Sequence, residues 1–155
     1  MTVEKRIEEL GIQLSEGSTP VANYVSVNRV GNMLYLSGAG GFGPDGKPLY
    51  AGKLGQDVTV EQGYESARLA AIALISTIKR EIGDLDKVVK IVKLLGFVAC
   101  TSDFDQQPKV INGASDLFVD VFGDKGRHAR SAVGTNALPM NLPVEVEAIV
   151  QIAEN

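Results

Sequence analysis

The chain has 155 residues, 45% hydrophobic and 22% charged, with a formal net charge of −4 and a pI near 5.0. This length and balance fit one globular domain that buries most of its apolar surface, and the acidic balance argues against nonspecific attraction to nucleic acid. The single cysteine rules out an internal disulfide and a Cys-based zinc cluster, and with one histidine a metal site would need carboxylates, so no metal or other cofactor is expected.

The stretch from Met1 to Leu10 is charged throughout and lacks the apolar core of a signal peptide. No run approaches the ~20 apolar residues of a membrane span, so a cytoplasmic protein is expected. Val3, Ile7 and Leu10 stand at helical spacing before Gly11, which predicts a short helix over 3–10 inside an N-terminal extension, 1–19. Two β-rich runs, 24–30 and 33–37, flank Gly31-Asn32 and predict a hairpin. Residues 38–46 then form a glycine-rich loop, with turn chemistry in Pro44-Asp45-Gly46. It is no phosphate cradle, because Gly46-Lys47 is followed by Pro48 and no helical pattern.

Val60, Tyr64, Ala67, Ala71, Leu74, Ile75, Ile78 and Ile82 make one apolar stripe and predict a long helix over 60–82. Thr59 with Gln62 resembles a capping box, and Gly83 is a suitable stop. The run 87–100 reads two ways: Lys87, Lys90 and Lys93 recur every three residues as in a helix, while Val88, Val89, Ile91, Val92, Phe97 and Val98 favour a strand. In a strand, alternation would scatter those lysines over both faces and leave no basic stripe for RNA. A second helix is predicted over 107–122, with Pro108 near its start and Gly123 past its end. Two β runs, 130–135 and 144–152, close the chain. The order ββ, α, β, α, ββ after the short first helix predicts an α+β fold, a sheet with two helices on one face.

Two charges enter these last core-like runs, Arg130 and Glu145. A buried charge is either paired or held for a ligand, and these two could simply pair with each other. Glu147 points to the same face as Glu145 and is equally eligible on chemistry alone. His128 follows the polar run Gly123-Asp-Lys-Gly-Arg127 and is expected to be a solvated loop residue. Cys100 is expected to be a small buried hydrophobe, and Tyr24 and Tyr35 fit hairpin aromatics packing across strands.

Tyr24, Gly31-Asn32-Met33, Ser37-Gly38, the long helix, the run Gly83-Asp84-Leu85-Asp86-Lys87-Val88-Val89, Asn112, and the closing Arg130-Ser131, Leu138-Pro139 and Glu145-Val146-Glu147-Ala148-Ile149 together resemble the Rid family, across roughly residues 20–152. This family is also called YjgF-like and is often labelled endoribonuclease L-PSP. The resemblance implies a chorismate-mutase-like single domain over 1–155, with the run 88–100 a strand. It also implies a homotrimer, its sheets an inner barrel and its helices outside, with sites in the clefts between subunits.

The activity implied is hydrolysis of reactive 2-imino and enamino acids to 2-keto acids and ammonia. In that reading Arg130 clamps the substrate carboxylate bidentately, as lysine cannot. Glu145 is the catalytic base that manages the protons of the attacking water. Gly38 lets backbone approach the substrate, Tyr24 reaches in from a neighbouring subunit, and Asn112 matches a site position on the second helix once a one-residue insertion before Arg130 is allowed. The chain departs from many of these deaminases at Ala132, where they carry cysteine, at His128, where they carry proline, and in the loop 39–56. These departures keep two alternatives open: a small-carboxylate-binding or regulatory module without this turnover, and an endoribonuclease, which the acidic pI and the lack of a basic groove disfavour.

Overall fold

The computed structural model describes residues 1–15, 20 and 22–154; residues 16–19 of the predicted extension lie outside the described residues. Helix α1 (Val3–Glu9) is capped by Thr2, whose side chain accepts from the Lys5 amide. Strands β1 (Val27–Val30) and β2 (Met33–Ala39) form the predicted hairpin, with Val30 opposite Met33 and Gly31 at φ 59° in the turn. The first strand is shorter than the run 24–30. At its start Ser37 donates its N–H to Ser26 O (2.9 Å) and its hydroxyl to Val25 O (2.6 Å), so residues 25 and 26 are tied by one residue rather than by a ladder.

Helix α2 (Val60–Ile82) carries the predicted capping box, with Thr59 and Gln62 each accepting from the other's backbone amide, and ends at Gly83, φ 78°. Helix α3 (Gln107–Phe122) matches its predicted span. The two cross closely: a Cβ on Gly113 would lie 2.0 Å from Tyr64 O, and one on Gly63 would lie 3.0 Å from Val110 Cγ1. Tyr64 also donates its hydroxyl to Asp116 (2.7 Å), a bond that, with burial, pushes its pKa up to about 12.

Strands β3 (Val88–Ala99), β4 (Ala129–Thr135) and β5 (Val144–Ile152) complete a five-stranded mixed sheet in the order β1-β2-β5-β3-β4, parallel between β3 and β4 and antiparallel elsewhere. The ambiguous run is therefore a strand, and its three-residue recurrence has a cause. Register shifts fall between Val88 and Lys90 and between Ile91 and Lys93, each placing an extra residue in β3 against β5. Val88, Ile91 and Leu94 are consequently all buried at a spacing of three. The same shifts correct the expectation that the lysines scatter: Lys90 sits opposite Gln151 and Lys93 opposite Ile149, on one face.

The helices cover one face of the sheet. Val144, Val146, Ala148, Val150 and Ile152 of β5 point into that core with Leu34, Ile91, Leu94 and Val98, while Glu145, Glu147, Ile149 and Gln151 face the other way and are only half-buried. The uncovered face also carries Tyr35, Leu95, Phe97 and Val133, and holds a shallow concavity of about 290 Å³ between Tyr35, Lys93, Leu95, Glu147 and Ile149. Among the described residues, no helix is long and apolar enough to cross a membrane.

Candidate functional site

Arg130 and Glu145 do not meet. Through the ladder, Arg130 stands opposite Leu94, and Leu94 opposite Ala148, so Arg130 shares the helix-covered face. Glu145 stands opposite Phe97, and Phe97 opposite Val133, on the uncovered face. Side chains directly opposite one another in a ladder lie on the same side, so the register alone rules out an ion pair between these two in one chain. Neither has another acidic or basic partner among the described residues.

What holds Arg130 is α3. One terminal nitrogen donates to Ser115 Oγ (3.0 Å) and the other to Pro108 O (3.2 Å). Pro108 and Ser115 are seven residues apart, two helical turns, and so lie on one face of α3. Asn112 lies on that face between them, four residues after Pro108 and three before Ser115, and is half-buried. The structure thus places Asn112 beside the anchors of Arg130.

His128 corrects the sequence reading. It is no solvated loop residue: Nδ1 lies 2.6 Å from Gly126 O, Nε2 lies 2.8 Å from Ser115 Oγ, and the ring packs edge-on against Phe118. Burial pulls its pKa down, the Gly126 carbonyl opposes this, and the Arg130 charge pulls it down further. Ser115 and His128 are the site residues that sequence reasoning missed. The signal available was parity, since His128 and Arg130 are two apart in an extended approach to β4 and so point to one side, and Ser115 follows Asn112 by three.

The second group of residues sits across the sheet. A Cβ on Gly38 would meet Glu145 Cδ at 2.8 Å, so only glycine lets that carboxylate lie against β2. The close approach occurs where the β2–β5 register shifts between Leu36 and Ala39. Burial, and then the like charge of Glu147, raises the Glu145 pKa. Tyr24 precedes β1 and is 49% exposed. It lies three residues before β1, one edge strand of the sheet, whereas Arg130 is on β4, the other edge strand, and those two strands are four spacings or about 19 Å apart. One chain therefore groups Arg130 with Ser115, His128 and Asn112, and Glu145 with Gly38, and leaves Tyr24 apart.

Elsewhere, Cys100 is partly buried against the core, its sulfur 3.6 Å from Gln107 Nε2. Glu4, Asp84 and Asp86 offer carboxylate oxygens within 4.8 Å of one another. Each already serves the chain: Glu4 bonds Lys79 and the Leu85 amide, Asp84 the Asp86 amide, and Asp86 the Val3 amide.

A family model described as YjgF/chorismate mutase-like, putative endoribonuclease, matches residues 4–151. Protein TCP17 of Trypanosoma cruzi is 41% identical over 151 residues, spanning 97% of this chain and 94% of that protein. The crystal structure of a protein from Shewanella oneidensis, described as a putative endoribonuclease, is similar with a TM-score of 0.94 at 34% identity, over 98% of this chain and 100% of the other. RidA from an Antarctic Psychrobacter is similar with a TM-score of 0.61 at 28% identity, over 90% of this chain and 97% of the other.

Proposed function

We propose, since the chain belongs to the YjgF/chorismate mutase-like family, that it hydrolyses small 2-imino and enamino acids to 2-keto acids and ammonia in clefts between the subunits of a homotrimer. The observation that carries this reading is the state of Arg130: a half-buried guanidinium whose partners are a hydroxyl and a carbonyl, both neutral, with no carboxylate among the described residues to cancel its charge. Such a group binds an anion, and its planar fork suits a carboxylate. Glu145, raised by burial, suits the acid–base work of adding water to the imine carbon and passing the proton to the departing amine.

Assembly supplies what one chain lacks. Arg130 and Glu145 face opposite sides of a sheet whose uncovered face bears Tyr35, Leu95, Phe97, Val133 and Ile149 interleaved with Lys93, Glu145 and Glu147, a mixed surface with enough apolar side chains to line the inside of a barrel. A cyclic trimer brings the Arg130 edge of one copy to the Glu145 face, and to Tyr24, of the next. The single cysteine suits a reducing cytoplasm.

The test is turnover of 2-iminobutanoate, generated in place by an amino acid oxidase, with and without the protein. Acceleration that disappears in Arg130→Ala supports the reading, and no acceleration by wild type rejects it. A carboxylate-binding module without turnover is the second reading, favoured because the Arg130 cluster stands complete in one chain without Glu145. Binding of 2-keto acids with no hydrolysis of any imino acid would select it. An RNA substrate finds little support in a chain of net charge −4.

A further inference from the structure

With the His128 ring neutral, the hydrogen bonds behind Arg130 have one consistent set of directions. Gly126 O is a carbonyl and accepts, so Nδ1 of His128 carries the ring proton. The neutral ring then offers a lone pair at Nε2, and Ser115 must donate its hydroxyl hydrogen to it. With that hydrogen committed, the Ser115 oxygen turns its lone pairs to Arg130 and accepts from it at 3.0 Å. Every member of this chain is uncharged except the guanidinium at its end.

We infer that Ser115 and His128 are positioning residues, which aim the Arg130 guanidinium at a small carboxylate and do so without neutralising it. The usual way to hold an arginine is an acidic partner, which would consume the charge that a substrate needs. Here a serine, a histidine and two carbonyls hold it instead. Among the described residues, Ser115 and Pro108 take two of the donors of the guanidinium, which leaves the remainder of the fork for a ligand. The Gly126 carbonyl that starts the relay is itself fixed by packing, since a Cβ on Gly126 would meet Phe118 O at 2.2 Å.

The inference rests on the anion-binding reading of Arg130, and its test separates the two. The probe is 2-ketobutyrate, titrated calorimetrically into wild type and into Ser115→Ala, Ser115→Thr, Ser115→Asp and His128→Gln. Ser115→Ala should weaken binding roughly ten- to hundredfold, the worth of one hydrogen bond to a charged group. Ser115→Thr and His128→Gln, which keep the hydroxyl and the acceptor, should stay near wild type. Ser115→Asp should abolish binding by pairing with Arg130. Nitrogen-15 spectra of the wild-type ring should show the neutral tautomer protonated at Nδ1, with the Nε2 resonance moving in Ser115→Ala. Wild-type affinity in both Ser115→Ala and Ser115→Asp, or a ring protonated at Nε2, overturns the inference while leaving Arg130 as an anion site. If wild type binds no small carboxylate, the reading beneath it falls as well; if it binds 2-ketobutyrate but turns over no imine, the inference stands and only the deaminase falls.

Discussion

Arg130 and Glu145 stand on opposite faces of one sheet, because Arg130 is in register with Ala148 through Leu94 while Glu145 is in register with Val133 through Phe97. A reaction that needs both must draw them from different copies of the chain.

That relationship predicts complementation. Arg130→Ala and Glu145→Gln proteins, each inactive alone, should regain activity when co-expressed or refolded together. With random mixing in a ring of three, roughly a quarter of the clefts combine an intact arginine with an intact glutamate. The measurement is imine hydrolysis by the mixture, and no recovery would mean that one chain supplies both groups.

Arg130→Lys tests the clamp as geometry rather than charge. A lysine keeps the positive charge but loses the planar fork, so affinity for 2-ketobutyrate should fall by about 1.5–3 kcal/mol while the thermal midpoint stays close to wild type. Wild-type affinity would mean that the site reads charge alone.

Glu145 must be ionised to act as a base, and burial with the charge of Glu147 raises its pKa. The acidic limb of kcat/KM should therefore lie above the pH at which an ordinary glutamate titrates. Glu147→Gln removes a like charge and should move that limb to lower pH, which a pH–rate profile of the two proteins resolves. A limb that stays put would assign it to another group.

His128 ties stability to pH in the opposite sense from a salt-bridged histidine. Its folded pKa lies below the ~6.5 of an unfolded chain, so as pH falls the unfolded state takes up the proton first. Its contribution is present above pH ~6.5 and is lost as pH falls through that value toward the folded one. Urea midpoints should drop over this window in wild type and change less in His128→Gln.

Gly113→Ala probes the helix crossing. The added methyl would sit 2.0 Å from the Tyr64 carbonyl, a backbone atom with no side-chain freedom to yield. A loss of about 1–3 kcal/mol or more is expected, measured by denaturant unfolding. The Tyr64–Asp116 bond should loosen with it and let the tyrosine titrate at lower pH than about 12.

Much of this was legible before the fold was known. Helices α2 and α3 announce themselves because periodicity, caps and stop glycines agree over many residues. Strand β3 hid because its two register shifts impose a helix-like spacing of three on Val88, Ile91 and Leu94, and a bulge leaves no mark in composition. The faces of Arg130 and Glu145 were unreadable for a different reason. Alternation fixes sides within a strand, but which side matches which across strands depends on register, set here by contacts far apart in sequence. His128 was misread because its neighbours Lys125 and Arg127 are exposed, and only the approach of α3 encloses it.

The opposed faces have a last consequence, in dose. If the catalytic pair exists only where two copies touch, the specific activity of the protein is a function of its own concentration, governed by mass action among subunits. Dilution would silence a fully folded chain without unfolding or inhibiting it, and a cell could set the rate by how much of the chain it makes, more steeply than in proportion.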